Sequence, residues 1–235
     1  MEKGTSSILS IDNKRKLANL YTSYGMFVIF IVMFGISCLA SEAFCTKDNL
    51  MNVLRLMSIT AISACGMTFV LILGMIDLSV GSVMALAGCC TAIVWAKTGS
   101  AVMGIGAGIL VGAGCGCISG FIIVRTAIPA FIMTFAMQTI ARGTVYLVTN
   151  GQPVSGMGDG FKVLGQGSIN TLFHLNIPLI GDIPLPIWIM VLVFIFCSTL
   201  LNKTRFGRYT YATGGNIQAA KASGIKQKPL FSVPI

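Results

Sequence analysis

Two ionisable residues lie inside otherwise apolar stretches, Asp77 and Arg142. A charge in a membrane segment is costly, so it is placed where it does something. Asp77 sits in Ile76-Asp77-Leu78-Ser79-Val80-Gly81. Its carboxylate, or the Ser79 hydroxyl, can cap the helix that follows, where the helix dipole favours a negative group. The alternative role for Asp77, Ser79 and Gly81 is to line a polar cavity in a translocation path or to steady a turn that moves. Arg142, with Gly143 beside it, either snorkels to the outer surface or holds a polar group in that path. The two charges fall at opposite depths in the topology below, so they are not expected to pair.

Other chemistry is missing from the sequence. There is no G-x-x-x-x-G-K-[ST], so no nucleotide is bound through a P-loop. No H-E-x-x-H or G-x-S-x-G supports an intramembrane enzyme. The glycines form no G-x-G-x-x-G after a strand, so no dinucleotide site is implied. The eight cysteines include no C-x-x-C pair, and there is one histidine, His174, which reads as a plain loop residue. A metal site is not expected. Cys38, Cys65, Cys89, Cys90, Cys115, Cys117 and Cys197 fall in apolar segments and read as small apolar side chains. The sequence therefore predicts no catalytic residue, no metal and no bound cofactor.

The elements that must position these residues are membrane helices. Of the 235 residues, 55% are hydrophobic and only 10% charged, against about 25% charged in a soluble domain. Runs of about 20 apolar residues can each cross the hydrocarbon. They occur at 21–40, over 56–96 as a hairpin of two turning near Asp77, and at 101–124, 129–148 and 186–201. The fold class is an all-α integral membrane protein with about six transmembrane helices. Residues 1–20 form a polar tail, 21–201 the transmembrane domain and 202–235 a basic cytoplasmic segment. Residues 41–55 are a short link, with 49–57 lying along the interface, and 149–185 are a long loop.

The net charge of +9 reads as cytoplasmic loops beside anionic lipid rather than as a nucleic-acid surface. With the N-terminus inside, the cytoplasmic set is Lys3, Lys14, Arg15, Lys16, Arg125, Lys203, Arg205, Arg208, Lys221, Lys226 and Lys228. Only Lys47, Arg55, Lys97 and Lys162 fall outside. Eleven against four is a positive-inside bias. It makes loop 149–185 extracytoplasmic.

Two further patterns stand out. Gly104, Gly108, Gly112, Gly116 and Gly120 recur at every fourth position, which puts them on one stripe of a helix. Such a stripe lets another helix approach closely, so a packing seam is expected. The stretch 202–225 is basic and polar. Gly214 and Gly215 are expected to break the chain there. Asn216 then caps a short helix through Gln218, Ala219 and Ala220, and Gly224 closes it.

At these residues the chain resembles the sugar-uptake ABC transporter permeases of the ribose, galactose and xylose group. One block runs from Gly66-Met67-Thr68 through Gly74 to Ser82. A second is Pro129-Ala130-Phe131-Ile132-Met133-Thr134, then Ala141-Arg142-Gly143. A third is Thr204-Arg205-Phe206-Gly207-Arg208, then Gly214-Gly215-Asn216, Ala219-Ala220 and Ser223-Gly224-Ile225. The resemblance implies a bacterial plasma-membrane subunit that pairs with a second permease, docks a cytoplasmic ABC ATPase and receives sugar from an extracytoplasmic sugar-binding protein. ATP would be bound by the ATPase alone. Arg205, Gly207, Gly215, Asn216, Gln218, Ala219, Ala220 and Gly224 would form the ATPase-coupling segment. Met75 stands where many members have a second glycine, Ala136 where a glycine is common, and Gln218 where the coupling helix usually carries an acid. Members have about ten spans, so the match covers roughly the first two-thirds of one and implies a chain truncated at its C-terminus. The other functional class weighed is a standalone secondary transporter of small polar solutes. That class would need internal repeats and coupling charges near the midplane, and no convincing repeat is present.

Overall fold

The computed structural model describes residues 24–126, 128–168, 170 and 182–225. His174, the expected tail 1–20 and residues 226–235 lie outside them. The chain divides into two compact units, Met1–Val53 and Leu54–Ile235.

In the first unit, α1 (Tyr24–Ala40) is a short apolar helix whose large side chains are almost all exposed, as a lipid-facing helix requires. A tight link follows. Cys38 and Cys45 form a disulfide across it, and Phe44 packs edge-on against Phe34, with ring centroids 5.4 Å apart. Thr46 starts the next helix by accepting the N–H of Asn49 at 3.4 Å, and the Asn49 side chain donates back to the Phe44 carbonyl at 2.8 Å. Cys38 reads from the sequence as an apolar residue of a span, and nothing there points to Cys45 as its partner. The link instead brings the two together.

That next helix, α2 (Lys47–Ile72), is continuous for 26 residues, or about 39 Å. It replaces the separate interfacial segment expected at 49–57. Asp48 and Arg55 did not break it, because Thr46 and the first-turn Asp48 satisfy its N-terminus.

The second unit is built around α3 (Val80–Thr98), which packs against both α4 (Ala101–Arg125) and α5 (Ala130–Thr149). Two residues join α3 to α4. Gly99 takes φ +67, and Ser100 accepts the N–H of Met103. Ser63 on α2 meets Met84 on α3 at 3.6 Å.

Loop 149–185 is not wholly irregular. It holds α6 (Gly158–Gln166), whose Phe161 stacks edge-on against Trp95 of α3 at 5.1 Å. Leu185 then donates to the Gly167 carbonyl at 2.9 Å. After it come α7 (Leu185–Lys203), α8 (Arg205–Gly215) and α9 (Ile217–Ala222). Among the described residues five helices, α2 to α5 and α7, are long and apolar enough to cross a membrane, and α1 is a shorter apolar helix. No strand is assigned among the described residues.

Candidate functional site: a broken helix, a cavity and the segment below it

The site begins where α2 stops. Gly74 takes φ +74, a conformation open to glycine. Its N–H bonds to Leu71 O, and Met75 N–H reaches back to Val70 O, each at 3.0 Å. This paired closure satisfies the last carbonyls of the helix. The chain then runs non-helically to Ser79 before α3 begins. Irregular backbone at membrane depth is tolerated only where protein or a polar cavity satisfies it.

Thr134, on the second turn of α5, supplies part of that satisfaction. Its hydroxyl accepts the Leu78 N–H at 3.2 Å and faces Ile76 O at 3.4 Å. Asp77 supplies another part. Its Oδ1 accepts both the backbone N–H and the hydroxyl of Ser79, each at 2.7 Å. The carboxylate thus acts at the head of α3, while the Ser79 hydroxyl is spent on Asp77 and does not cap the helix.

Beside the break lies a cavity of about 360 Å³. It is walled by α2 (Ser63, Gly66, Met67), the break (Met75, Asp77, Ser79), α3 (Val83, Met84) and α4 (Gly112, Gly116, Ser119, Gly120), with Thr134 at one edge. Asp77 and Ser79 line it. Gly81 sits exposed in the first turn of α3, and Arg142 is exposed on α5; neither borders the cavity.

The glycine stripe of α4 divides in two, which corrects the single seam expected from its spacing. A Cβ on Gly104 would lie 2.9 Å from Thr91 O and 3.1 Å from Trp95 Cβ, and one on Gly108 would overlap Thr91 Oγ1. Those two hold α3 and α4 together. A Cβ on Gly112 would meet nothing within 4 Å. Gly112, Gly116 and Gly120 border the cavity instead. Period four shows which face the glycines share, but not whether a helix or a void lies opposite.

The basic segment packs on the same end of α2. Thr204 caps α8 by accepting the Gly207 N–H at 3.3 Å. Phe206 meets Phe69 of α2 with centroids 6.0 Å apart. Gly207 is buried, and a Cβ there would overlap the Leu201 carbonyl. A Cβ on Gly214 would overlap the carbonyl oxygen of Ile72, the last residue of α2.

Gly214 and Gly215 therefore do not break the chain. They end α8, and Gly214 is a contact point. The break falls at Asn216, whose extended backbone (φ −157, ψ 107) turns into α9. The Asn216 side chain accepts the N–H groups of Gln218 and Ala219, both at 3.0 Å. Gly224, at φ +78, closes α9 as Gly74 closes α2: Gly224 N–H bonds to Lys221 O and Ile225 N–H to Ala220 O. Arg205, Arg208, Gln218, Ala219 and Lys221 are exposed. Ala220 is 3% exposed, covered by this chain itself.

Thr134 and Ser119 went unremarked as site residues in the sequence. Nothing in the sequence around Thr134 shows that it meets Leu78. Ser119 is one residue from the glycine stripe, a position without a signal of its own.

Three blocks of sequence thus converge on one end of α2: the break, the start of α5 and the basic segment. Residues 49–233 match the family model of the branched-chain amino acid transport system / permease component. The chain is 37% identical over 199 residues to ribose import permease protein RbsC of Escherichia coli (strain K12), covering 84% of this chain and 60% of that one. It is 38% identical over 206 residues to L-arabinose transport system permease protein AraH of the same strain, covering 88% and 60%. It is 38% identical over 204 residues to RbsC of Bacillus subtilis (strain 168), covering 86% and 59%. It therefore spans about 60% of the length of these relatives. No solved structure matches it. The chain is a multi-pass membrane protein that belongs to the branched-chain amino acid transport system / permease component family.

Proposed function

We propose that the chain acts as the transmembrane permease subunit of an ATP-binding cassette importer for a monosaccharide, in the class that includes ribose, arabinose, galactose and xylose. The observation that carries this is the seat of α8 under α2. Phe206 and Gly214 contact α2 at Phe69 and Ile72, immediately before the break that walls the cavity. The permease and sugar named in the descriptions of the relatives support it.

In this reading a cytoplasmic ATPase binds and hydrolyses ATP and presses on the exposed basic face of α8 and α9. The push reaches the end of α2 and then the residues around Asp77. A sugar-binding protein delivers solute on the extracytoplasmic side, a second permease copy completes the pathway, and lipid surrounds α1 and the outer faces of the other helices. The membrane is the bacterial plasma membrane, with the N-terminus in the cytoplasm.

The test is uptake of labelled ribose, arabinose, galactose and xylose in a strain deleted for its own pentose and hexose permeases. The chain is supplied in its native gene context with its ATPase and binding protein. ATP-dependent uptake of one of these sugars is expected. Uptake that persists when the ATPase carries an inactivating substitution would overturn the reading in favour of a secondary transporter.

A further inference from the structure

We propose that Cys65 on α2 and Cys197 on α7 form a dithiol site within the membrane, which a lipid hydroperoxide oxidises to a disulfide that locks α2 to α7. The thiol pair rests on the geometry alone; its effect on transport rests on the permease reading above.

The first observation is that α2 and α7 turn matching faces to each other. Ala61, Cys65 and Thr68 of α2 and Met190 and Phe194 of α7 line one groove of about 370 Å³. Cys197 follows Phe194 by three positions and Phe69 follows Cys65 by four, so each continues its own face. Phe69 then meets Phe206 of α8, with ring centroids 6.0 Å apart. The depths agree as well. Cys65 lies seven residues before the end of α2 and Cys197 six before the end of α7, about 10 Å in each case.

The second observation is the pair of thiols itself. Neither is in a disulfide and both are half-buried. They lie within hydrogen-bonding reach of one another. Sulfurs in non-bonded contact are farther apart than the S–S bond of about 2.05 Å. Forming that bond therefore draws α2 and α7 together across the groove.

The chemistry balances with one hydroperoxide. The groove is apolar, and Phe194 at its rim is exposed, so an oxidised acyl chain can reach Cys65. The Cys65 sulfur attacks the terminal peroxide oxygen, the O–O bond breaks, and the lipid alcohol leaves with the thiol proton. This leaves a sulfenic acid. The Cys197 sulfur then attacks the Cys65 sulfur, the S–O bond breaks, and hydroxide departs with the second thiol proton as water. Each sulfur gives up one electron and the peroxide gains two.

The third observation is what the bond would hold. Only Thr204 separates α7 from α8, and α8 touches α2 at Phe69 and Ile72. A Cys65–Cys197 bond closes a ring through these contacts. The segment below α2 then cannot shift against the end of α2 beside the break. The disulfide is a redox lock on that movement.

The experiment treats the full chain in lipid nanodiscs with cumene hydroperoxide and maps linked peptides by mass spectrometry without reduction. A Cys65–Cys197 peptide is expected, and dithiothreitol should abolish it. In cells carrying the whole importer, the same oxidant should lower ATP-dependent sugar uptake about tenfold, as a switch with a global readout does, and dithiothreitol should restore it. Cys65→Ser, Cys65→Ala and Cys197→Ser should each transport as the parent does and resist the oxidant. Cys115→Ala, on α4, should stay sensitive.

No linked peptide under oxidant would overturn the proposal. So would a linked peptide with unchanged uptake, or equal loss of uptake in the parent and in all three variants at the pair. If the reduced parent takes up no sugar while the linked peptide forms, the permease reading fails and the dithiol site stands.

Discussion

The backbone N–H of Leu78 donates to the hydroxyl of Thr134 at 3.2 Å, across 56 residues of chain. This bond ties the interruption between α2 and α3 to the start of α5. It gives a part-buried backbone donor, which has left both helices, its partner. Any movement of the break must stretch this bond or carry α5 with it.

Thr134→Val, which keeps the shape and removes the hydroxyl, should therefore cost about 1–3 kcal/mol by leaving the Leu78 N–H unpaired. The thermal transition of the purified chain should fall by several degrees, and Thr134→Ser should restore it. A valine variant as stable as the parent would mean that the break draws its order from elsewhere.

The division of the α4 stripe is open to direct comparison. Gly108→Ala should destabilise by about 1–3 kcal/mol, because the new methyl group meets Thr91 Oγ1 while that hydroxyl is bonded to Ala87 O. Gly112→Ala should change stability by less than about 0.5 kcal/mol, since its methyl group enters open space. Thermal unfolding of the two variants in the same detergent decides between a continuous seam and a seam that gives way to a void.

Adjacent glycines in the basic segment should behave oppositely. Gly214→Ala drives a Cβ into the Ile72 carbonyl, while Gly215→Ala meets nothing within 4 Å. In the assembled transporter, Gly214→Ala should cut ATP-dependent uptake at least tenfold, and Gly215→Ala should leave it within twofold. Ala220→Glu would also abolish uptake, but with loss of protein from the membrane, because Ala220 is buried within this chain and the new charge would have no partner there.

Orientation is tested with single cysteines and an impermeant maleimide. Cysteines placed at Lys14 and Arg208 should be protected in intact cells, and one at Asp159 should react. Cys38 and Cys45, disulfide-bonded at the far end of α1, should react from outside only after reduction, as expected in an oxidising compartment. Labelling of Asp159 and Arg208 from the same side would remove the topology.

The sequence revealed the ends of elements best, because ends are set by local chemistry. Asn216 and Gly224 cap and close their helix through their own side chain or backbone freedom, and the chain needs no distant partner to fix them. The apolar spans were legible for the same reason: a run of 20 apolar residues needs no context. What required a partner was hidden. Gly214-Gly215 looked like a break because glycine is a poor helix former. Its contact with Ile72 depends on a residue more than 140 positions away. The Cys38–Cys45 pairing, the stacking of Phe161 on Trp95 and the Leu78–Thr134 bond are likewise meetings of distant or oddly turned residues that no periodicity encodes.

The two-residue connection between α3 and α4 has a consequence for biogenesis. Helices joined only by Gly99 and Ser100 have little freedom to search for each other in a bilayer, so insertion as one antiparallel hairpin is expected. Gly104 and Gly108 then meet Thr91 and Trp95 without help from any later helix. The remaining helices would assemble against a hairpin whose geometry is already set.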